Sequence, residues 1–184
     1  MSENYERNKK ANGAGGACNL LINGVLAYFF YQYAYKNPDQ GQCWATDENH
    51  VPSPVELPGY TNVSQQFETW FWWGFLINIL CIVVACLQIL AGSGNNLFDS
   101  LSKCVGAPLG CGWLAWFIAG MVLRWREVGN ICSGEYATTS GVRYQWKSGK
   151  FIDTFLVITL CLWALACCCG CCVAVFASVS ANRS

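Results

Sequence analysis

Four long apolar runs divide this chain, and polar segments separate them. Ala17–Tyr35 has 19 residues without a charged side chain, Trp70–Ala91 has 22, Cys104–Leu123 has 20 and Phe155–Ala177 has 23. About 20 apolar residues, rising 1.5 Å each, cross the roughly 30 Å of hydrocarbon in a bilayer. Each run is apolar on all sides, which argues against helices lying flat on the membrane surface. Asn19, Asn23 and Gln32 interrupt only the first run. That run ends in Tyr31, Tyr33 and Tyr35 rather than in small residues, so it reads as a span and not as a cleaved signal. The pattern predicts an all-α membrane protein, a bundle of four transmembrane helices forming one membrane domain. The spans are placed at 17–35, 70–91, 104–123 and 151–177. Polar ends occupy 1–16 and 178–184, long exterior loops 36–69 and 124–150, and a short cytosolic loop 92–103.

Four crossings put both chain ends on one side and both long loops on the other. Lys and Arg are nearly balanced between the sides; around the first span Arg7, Lys9 and Lys10 face Lys36 alone, which favours a cytosolic N-terminus. Two loop features agree. Asn62-Val63-Ser64 is a sequon, usable at Asn62 only on a lumenal or extracellular face. Each long loop also holds one cysteine, Cys43 and Cys132, the arrangement needed for an inter-loop disulfide in an oxidising compartment. The expected setting is a eukaryotic plasma membrane or endomembrane with both ends cytosolic.

Composition sharpens this picture. Charged residues make up 12% of the chain, against about a quarter in soluble domains. The formal net charge is zero, which leaves no electrostatic footprint for nucleic acid. There are thirteen cysteines. Cys18, Cys104 and the run Cys167, Cys168, Cys169, Cys171 and Cys172 lie toward the terminal side and are candidates for palmitoylation. The alternative is that cysteine serves there as a small apolar packing residue, the reading preferred for Cys81, Cys86, Cys111 and Cys161.

Helices in lipid associate through small residues and hydrogen bonds. Gly106 and Gly110, and Ala115 and Ala119, are spaced four apart on the third span, so that span is expected at the bundle centre, with Pro108 in its first turn. Tyr31, Tyr33, Tyr35, Trp70, Trp72, Trp73, Trp125 and Trp146 read as an interfacial belt on the loop side. The first loop is acidic and the second basic, so the two are expected to close into one cap.

The only charged residue within a span is Asp153, at the loop-side entrance of the fourth. Arg124 leaves the third span at similar depth, so an Asp153–Arg124 pair is expected to close the bundle rim. Chemistry is sparse elsewhere. His50 is the sole histidine and lies in a proline-rich loop, so histidine-based metal sites and triads are not expected. The CxxC spacings among Cys168–Cys172 lie in an apolar helix rather than at an acidified, accessible site. No cofactor is expected, and the chain is not expected to be an enzyme.

The stretch Trp116-Phe117-Ile118-Ala119-Gly120-Met121-Val122-Leu123-Arg124-Trp125, with Gly129 and Cys132-Ser133-Gly134, resembles MARVEL-like orphan four-span proteins. Claudins share the layout, but their first loop carries a Trp-Leu-Trp element and two cysteines where this chain has Cys43-Trp44. The MARVEL-like resemblance implies a non-enzymatic role in membrane apposition, in vesicle or junction organisation, or as an accessory subunit. The reading is therefore a structural or accessory protein in the lipid bilayer, partnered by other membrane-protein subunits or by itself. The alternative is a pore-forming or transport subunit acting as an oligomer.

Overall fold

The computed structural model describes residues 2–36, 42–46, 52–93, 95–134 and 146–181. Five α-helices carry the architecture: α1 (Ser2–Tyr31), α2 (Val63–Ala91), α3 (Asn96–Trp125), α4 (Glu127–Cys132) and α5 (Lys147–Ala181). Four of them, all but the six-residue α4, are long and apolar enough to cross a membrane. The protein is an all-α, multi-pass membrane protein built on a four-helix bundle.

The helices outrun the apolar runs. α2 begins at Val63, seven residues before the apolar stretch, because Asn62 caps it: its side chain accepts the Gln65 backbone N–H at 3.0 Å. At α3 the cap is Asn95, which accepts from Leu97 N, and Asp99 in the first turn both complements the helix dipole and pairs with Lys103 at 2.6 Å. This early start corrects the placing of Pro108, which sits inside α3 and not in its first turn. The ring removes one helical amide donor within the membrane. At the N-terminus, α1 is helical from Ser2, so the residues expected as a polar tail extend the first helix, whose stretch apolar enough to cross a membrane begins at Gly13. Past Tyr31 it continues through a π-helical turn, Gln32–Lys36.

α2 is the central helix, and α1 runs antiparallel along its length. Near one end a Cβ on Gly16 would meet the Ala85 carbonyl at 3.0 Å and Ile89 at 2.8 Å, so only glycine permits this approach. Near the other end Phe30, fully buried, packs its ring against Trp70, Phe71, Trp116 and Phe155. The largest buried side chains gather here: Phe30, Phe67, Phe71, Phe117, Ile152 and Leu156. Further along, α5 turns Cys161–Leu165 outward. Packing is densest on the side of the long loops.

Candidate functional site

The loops form a small cap. Strand β1 (Trp44–Ala45) pairs antiparallel with β2 (Thr61–Asn62), in register Trp44 to Asn62 and Ala45 to Thr61. Trp44 also exchanges backbone hydrogen bonds with Ser53, at 2.9 and 2.8 Å. Leu57-Pro58-Gly59-Tyr60 turns the chain back, with Gly59 at φ +83° and Tyr60 N donating to Leu57 O. That positive φ at the third turn position requires glycine. Cys43 is fixed to the start of α2 from both sides of its peptide. Its N–H donates to Ser64 Oγ at 2.8 Å, and its carbonyl accepts from Val63 N at 2.9 Å.

The Cys43–Cys132 disulfide joins this strand pair to α4, with the Cα atoms 6.1 Å apart and both residues buried. Gly129 allows α4 to fold against the end of α3, since a Cβ there would lie 1.9 Å from Leu123 O. α5 begins against the same corner: Trp146 N donates to Cys132 O. Of the charged residues in the two loops, Asp39, Asp47, Glu48, Glu135 and Arg143 lie outside the described residues.

Among the described residues, Arg124 is the largest fully buried side chain. Its Nη2 lies 3.0 Å from Asp153 Oδ1, and its Nη1 donates to Asn130 Oδ1 on α4. Asp153 is itself partly exposed, at 42%. The guanidinium thus ties α3, α4 and α5 together just beneath the disulfide. Its planar fork holds the two acceptors in fixed directions from separate nitrogens, where a lysine would offer freely rotating donors on one nitrogen.

Beneath it lies a feature that the sequence reading missed. Trp70 and Trp116 stack at 4.3 Å with their planes 10° apart. Trp70 Nε1 donates to Trp116 O, and Trp116 Nε1 donates to Trp70 O, both at 2.9 Å. Each indole lies over a glycine of the opposite helix. A Cβ on Gly74 would meet Trp116 Cζ2 at 2.5 Å, and one on Gly120 would meet Trp70 Cζ2 at 2.6 Å. Both glycines stand four residues after the tryptophan of their own helix. The sequence carries this as a repeat, Trp70-Phe71-Trp72-Trp73-Gly74 and Trp116-Phe117-Ile118-Ala119-Gly120, in which Phe71 and Phe117 are also fully buried. The result is a two-fold-like clasp between α2 and α3 whose two indole donors are satisfied inside the membrane.

The clasp corrects two expectations. Trp70 is not part of an interfacial belt: it is 3% exposed, whereas Trp72, Trp73 and Trp125 remain exposed. Nor do the small residues of α3 place it at the bundle centre. Ala115 and Ala119 face outward, Gly110 is exposed with nothing within 4 Å of a built Cβ, and Gly106 reaches only Val84, at 3.8 Å. The large aromatic pair fixes the rotation of α3 and turns its small-residue stripe away from the core.

The remaining candidate positions are scattered. Cys18, Cys104, Cys167 and Cys168 are free and exposed, while the side chains of Cys169, Cys171 and Cys172 lie outside the described residues. Asn62 combines its capping role with a donor bond from Nδ2 to Gln42 Oε1 at 3.1 Å. His50 is outside the described residues. Among the described residues, no three His, Cys, Asp or Glu side chains converge as a metal site would need. No protein-family model, curated protein or solved structure matches the chain.

Proposed function

We propose that this protein is a non-enzymatic structural or accessory subunit of a membrane assembly, holding its partners through the outer faces of its helices and through its cap. The observation that carries this reading is the filled interior. Rings from all four spans, Phe30, Trp70, Phe71, Trp116, Phe151 and Phe155, interlock beneath the cap, with neighbouring centroids 4.3–6.3 Å apart. A solute following the bundle axis would have to part these rings, so the monomer's centre is a strut and not a conduit. The outward stripe of α3, Ala115, Ile118, Ala119 and Val122, supports the same role by leaving small and branched side chains for a neighbour.

On this reading the cap faces the oxidising side of a plasma membrane or endomembrane and the chain ends are cytosolic, because a disulfide persists only in such a compartment. The MARVEL-like resemblance of residues 116–134 agrees with a role in membrane organisation. Two measurements test the proposal. Extracted from native membranes in mild detergent, the protein should run in a particle larger than a monomer, and α3 faces bearing Ala115→Trp should dissociate it. Purified protein in vesicles should pass no ions. A flux abolished by Asp153→Asn and Arg124→Gln would overturn the accessory role in favour of a pore.

A further inference from the structure

On the outer side of the clasp, α2 and α3 leave a groove of about 650 Å³. Its lining changes character with depth. Gln65, Gln66 and Thr69 of α2, with Leu123 of α3, line the part near the cap; Trp73 and Ala119 line the part further in. Thr61 and Asn62 close the upper end, while Trp70 and Trp116 form part of the wall. Gln65 and Trp73 are eight residues apart, about 12 Å along the helix. The 29 residues of α2 extend about 43 Å, more than the hydrocarbon thickness. With its apolar stretch beginning at Trp70, the turns carrying Gln65, Gln66 and Thr69 stand at headgroup level. The groove is therefore polar where a lipid is polar and apolar where its chains begin.

We propose that this groove binds the uncharged, hydroxyl-rich headgroup of a membrane glycolipid. Among the described residues the lining holds amides, hydroxyls, indoles and two aliphatic side chains, with no carboxylate and no cation. Arg126 approaches the rim, but its Nη2 donates to Gln66 Oε1 at 2.8 Å. That bond leaves Gln66 Nε2 as a donor, and Gln65 keeps both ends of its amide. Thr69 gives its hydroxyl proton to Gln65 O at 2.8 Å, so its oxygen is left to accept. Neutral donors and acceptors alternating over two helical turns match adjacent hydroxyls, which are each donor and acceptor. A phosphate could be balanced only by Arg126 at the rim, which no second cation among the described lining residues supports, and a sterol, with one hydroxyl, would leave most of these amides unanswered. Trp73, 56% exposed, offers the body of an indole in the deeper part of the groove, where the chains of a lipid would begin.

The same chemistry has a second source, a glycan carried by Asn62 itself, since that residue lines the groove. The test separates the two. Purified protein is reconstituted in phosphatidylcholine vesicles containing either a monohexosylceramide or the same ceramide without its sugar. Retained lipid is then read by native mass spectrometry. The hexosylceramide should be retained in preference to the ceramide, about tenfold or more, as expected when several neutral hydrogen bonds are lost together. Gln65→Leu with Thr69→Val should remove that preference while leaving the Cys43–Cys132 bridge intact, which shows the variant to be folded. Protein produced in cells that attach no N-glycan keeps the groove unchanged and lacks any sugar on Asn62, so it should bind hexosylceramide as the parent does. Equal retention of both ceramides would overturn the proposal, as would preference for phosphatidylserine or cholesterol when either is added. Binding that appears only once a glycan is stripped from Asn62 would assign the groove to that glycan.

Discussion

Gly120→Ala places one methyl group where the clasp leaves no room, and its effect follows from the geometry. The new Cβ would lie 2.6 Å from Trp70 Cε2 and Cζ2 and 2.7 Å from Nε1, against about 3.5–4.0 Å for a relaxed contact. The indole must retreat by about 1 Å to restore that contact, yet its N–H is held by Trp116 O and its face by the stacked partner ring. Overpacking of this kind costs about 1–3 kcal/mol, and breaking the clasp bond adds about 1 kcal/mol. The better helix propensity of alanine returns about 1 kcal/mol. The net expectation is a destabilisation of about 1–3 kcal/mol. Gly110→Ala is the internal control: the same chemical change on the same helix with nothing within 4 Å, expected to be neutral or stabilising by up to about 1 kcal/mol. Unfolding of both variants in one detergent, followed by tryptophan fluorescence against added dodecyl sulfate, measures the gap. Combining Gly120→Ala with Trp70→Phe should cost less than the sum of the two changes, because the smaller ring vacates the contested space. A Gly120→Ala protein as stable as Gly110→Ala would refute the clasp.

Other outcomes follow from the cap and the spans. Non-reducing digestion should give a peptide joining Cys43 to Cys132, and reduction should destabilise the cap by about 2–4 kcal/mol, since the bridge closes a separation of 89 residues. Two alkylatable thiols at these positions would contradict this. Asp153→Asn should destabilise by about 1–2 kcal/mol, because it leaves buried Arg124 with a weaker acceptor, the partial exposure of Asp153 moderating the loss. Stability equal to that of the parent would show the pair to be idle. Asn78 is fully buried, its Nδ2 donates back to Gly74 O, and its Oδ1 has no hydrogen-bond partner, so Asn78→Leu should fall within about 1 kcal/mol of the parent or exceed it. A loss of several times that size would mean that Asn78 holds something in the membrane. If the exposed thiols are acylated, hydroxylamine-dependent labelling of Cys18, Cys104, Cys167 and Cys168 should disappear in the corresponding serine variants.

Hydropathy made the spans legible because membrane thickness sets a length that an apolar run must meet. Rotation about each helix axis was another matter. A helix apolar on every side carries no amphipathic phase, so the small residues of α3 were as plausible a core face as any. Aromatic volume decided instead: Trp116 and Phe117 fill the interior, and Ala115 and Ala119 are carried to the outside by the same helical turn. The signal was present in the two Trp-Phe-x-x-Gly segments, 46 residues apart, although composition-based reading treats tryptophan near a span end as an interfacial anchor. Trp72 and Trp73 do stand exposed, yet Trp70, two positions earlier, is buried. The single cysteines of two loops were a sharper signal, since a bridge between them needs only topology. The helix ends were the least visible part, because Gln65, Gln66 and Glu68 lower the hydropathy of turns that Asn62 nonetheless caps.

The cap-side constraints form a closed circuit rather than a set of separate braces. From α2, the Ser64 and Val63 contacts hold Cys43; the disulfide carries the restraint to α4; Asn130 and Arg124 return it to α3; and the indole pair closes the path to α2 again. Asp153 attaches α5 to the same circuit. Opening any one link leaves the others spanning the gap, so single losses should loosen this end without separating its helices, and paired losses should exceed their sum. Such a preformed end meets a partner or a lipid with little further ordering, which lowers the entropic cost of association. The far end of α5 has no comparable tie among the described residues, and its outward thiols and leucines are left for lipid, acyl chains or a neighbouring helix to cover. The division of labour is set by where the large aromatic rings fall along each span: they make one end of the bundle self-sufficient and leave the other to be completed from outside.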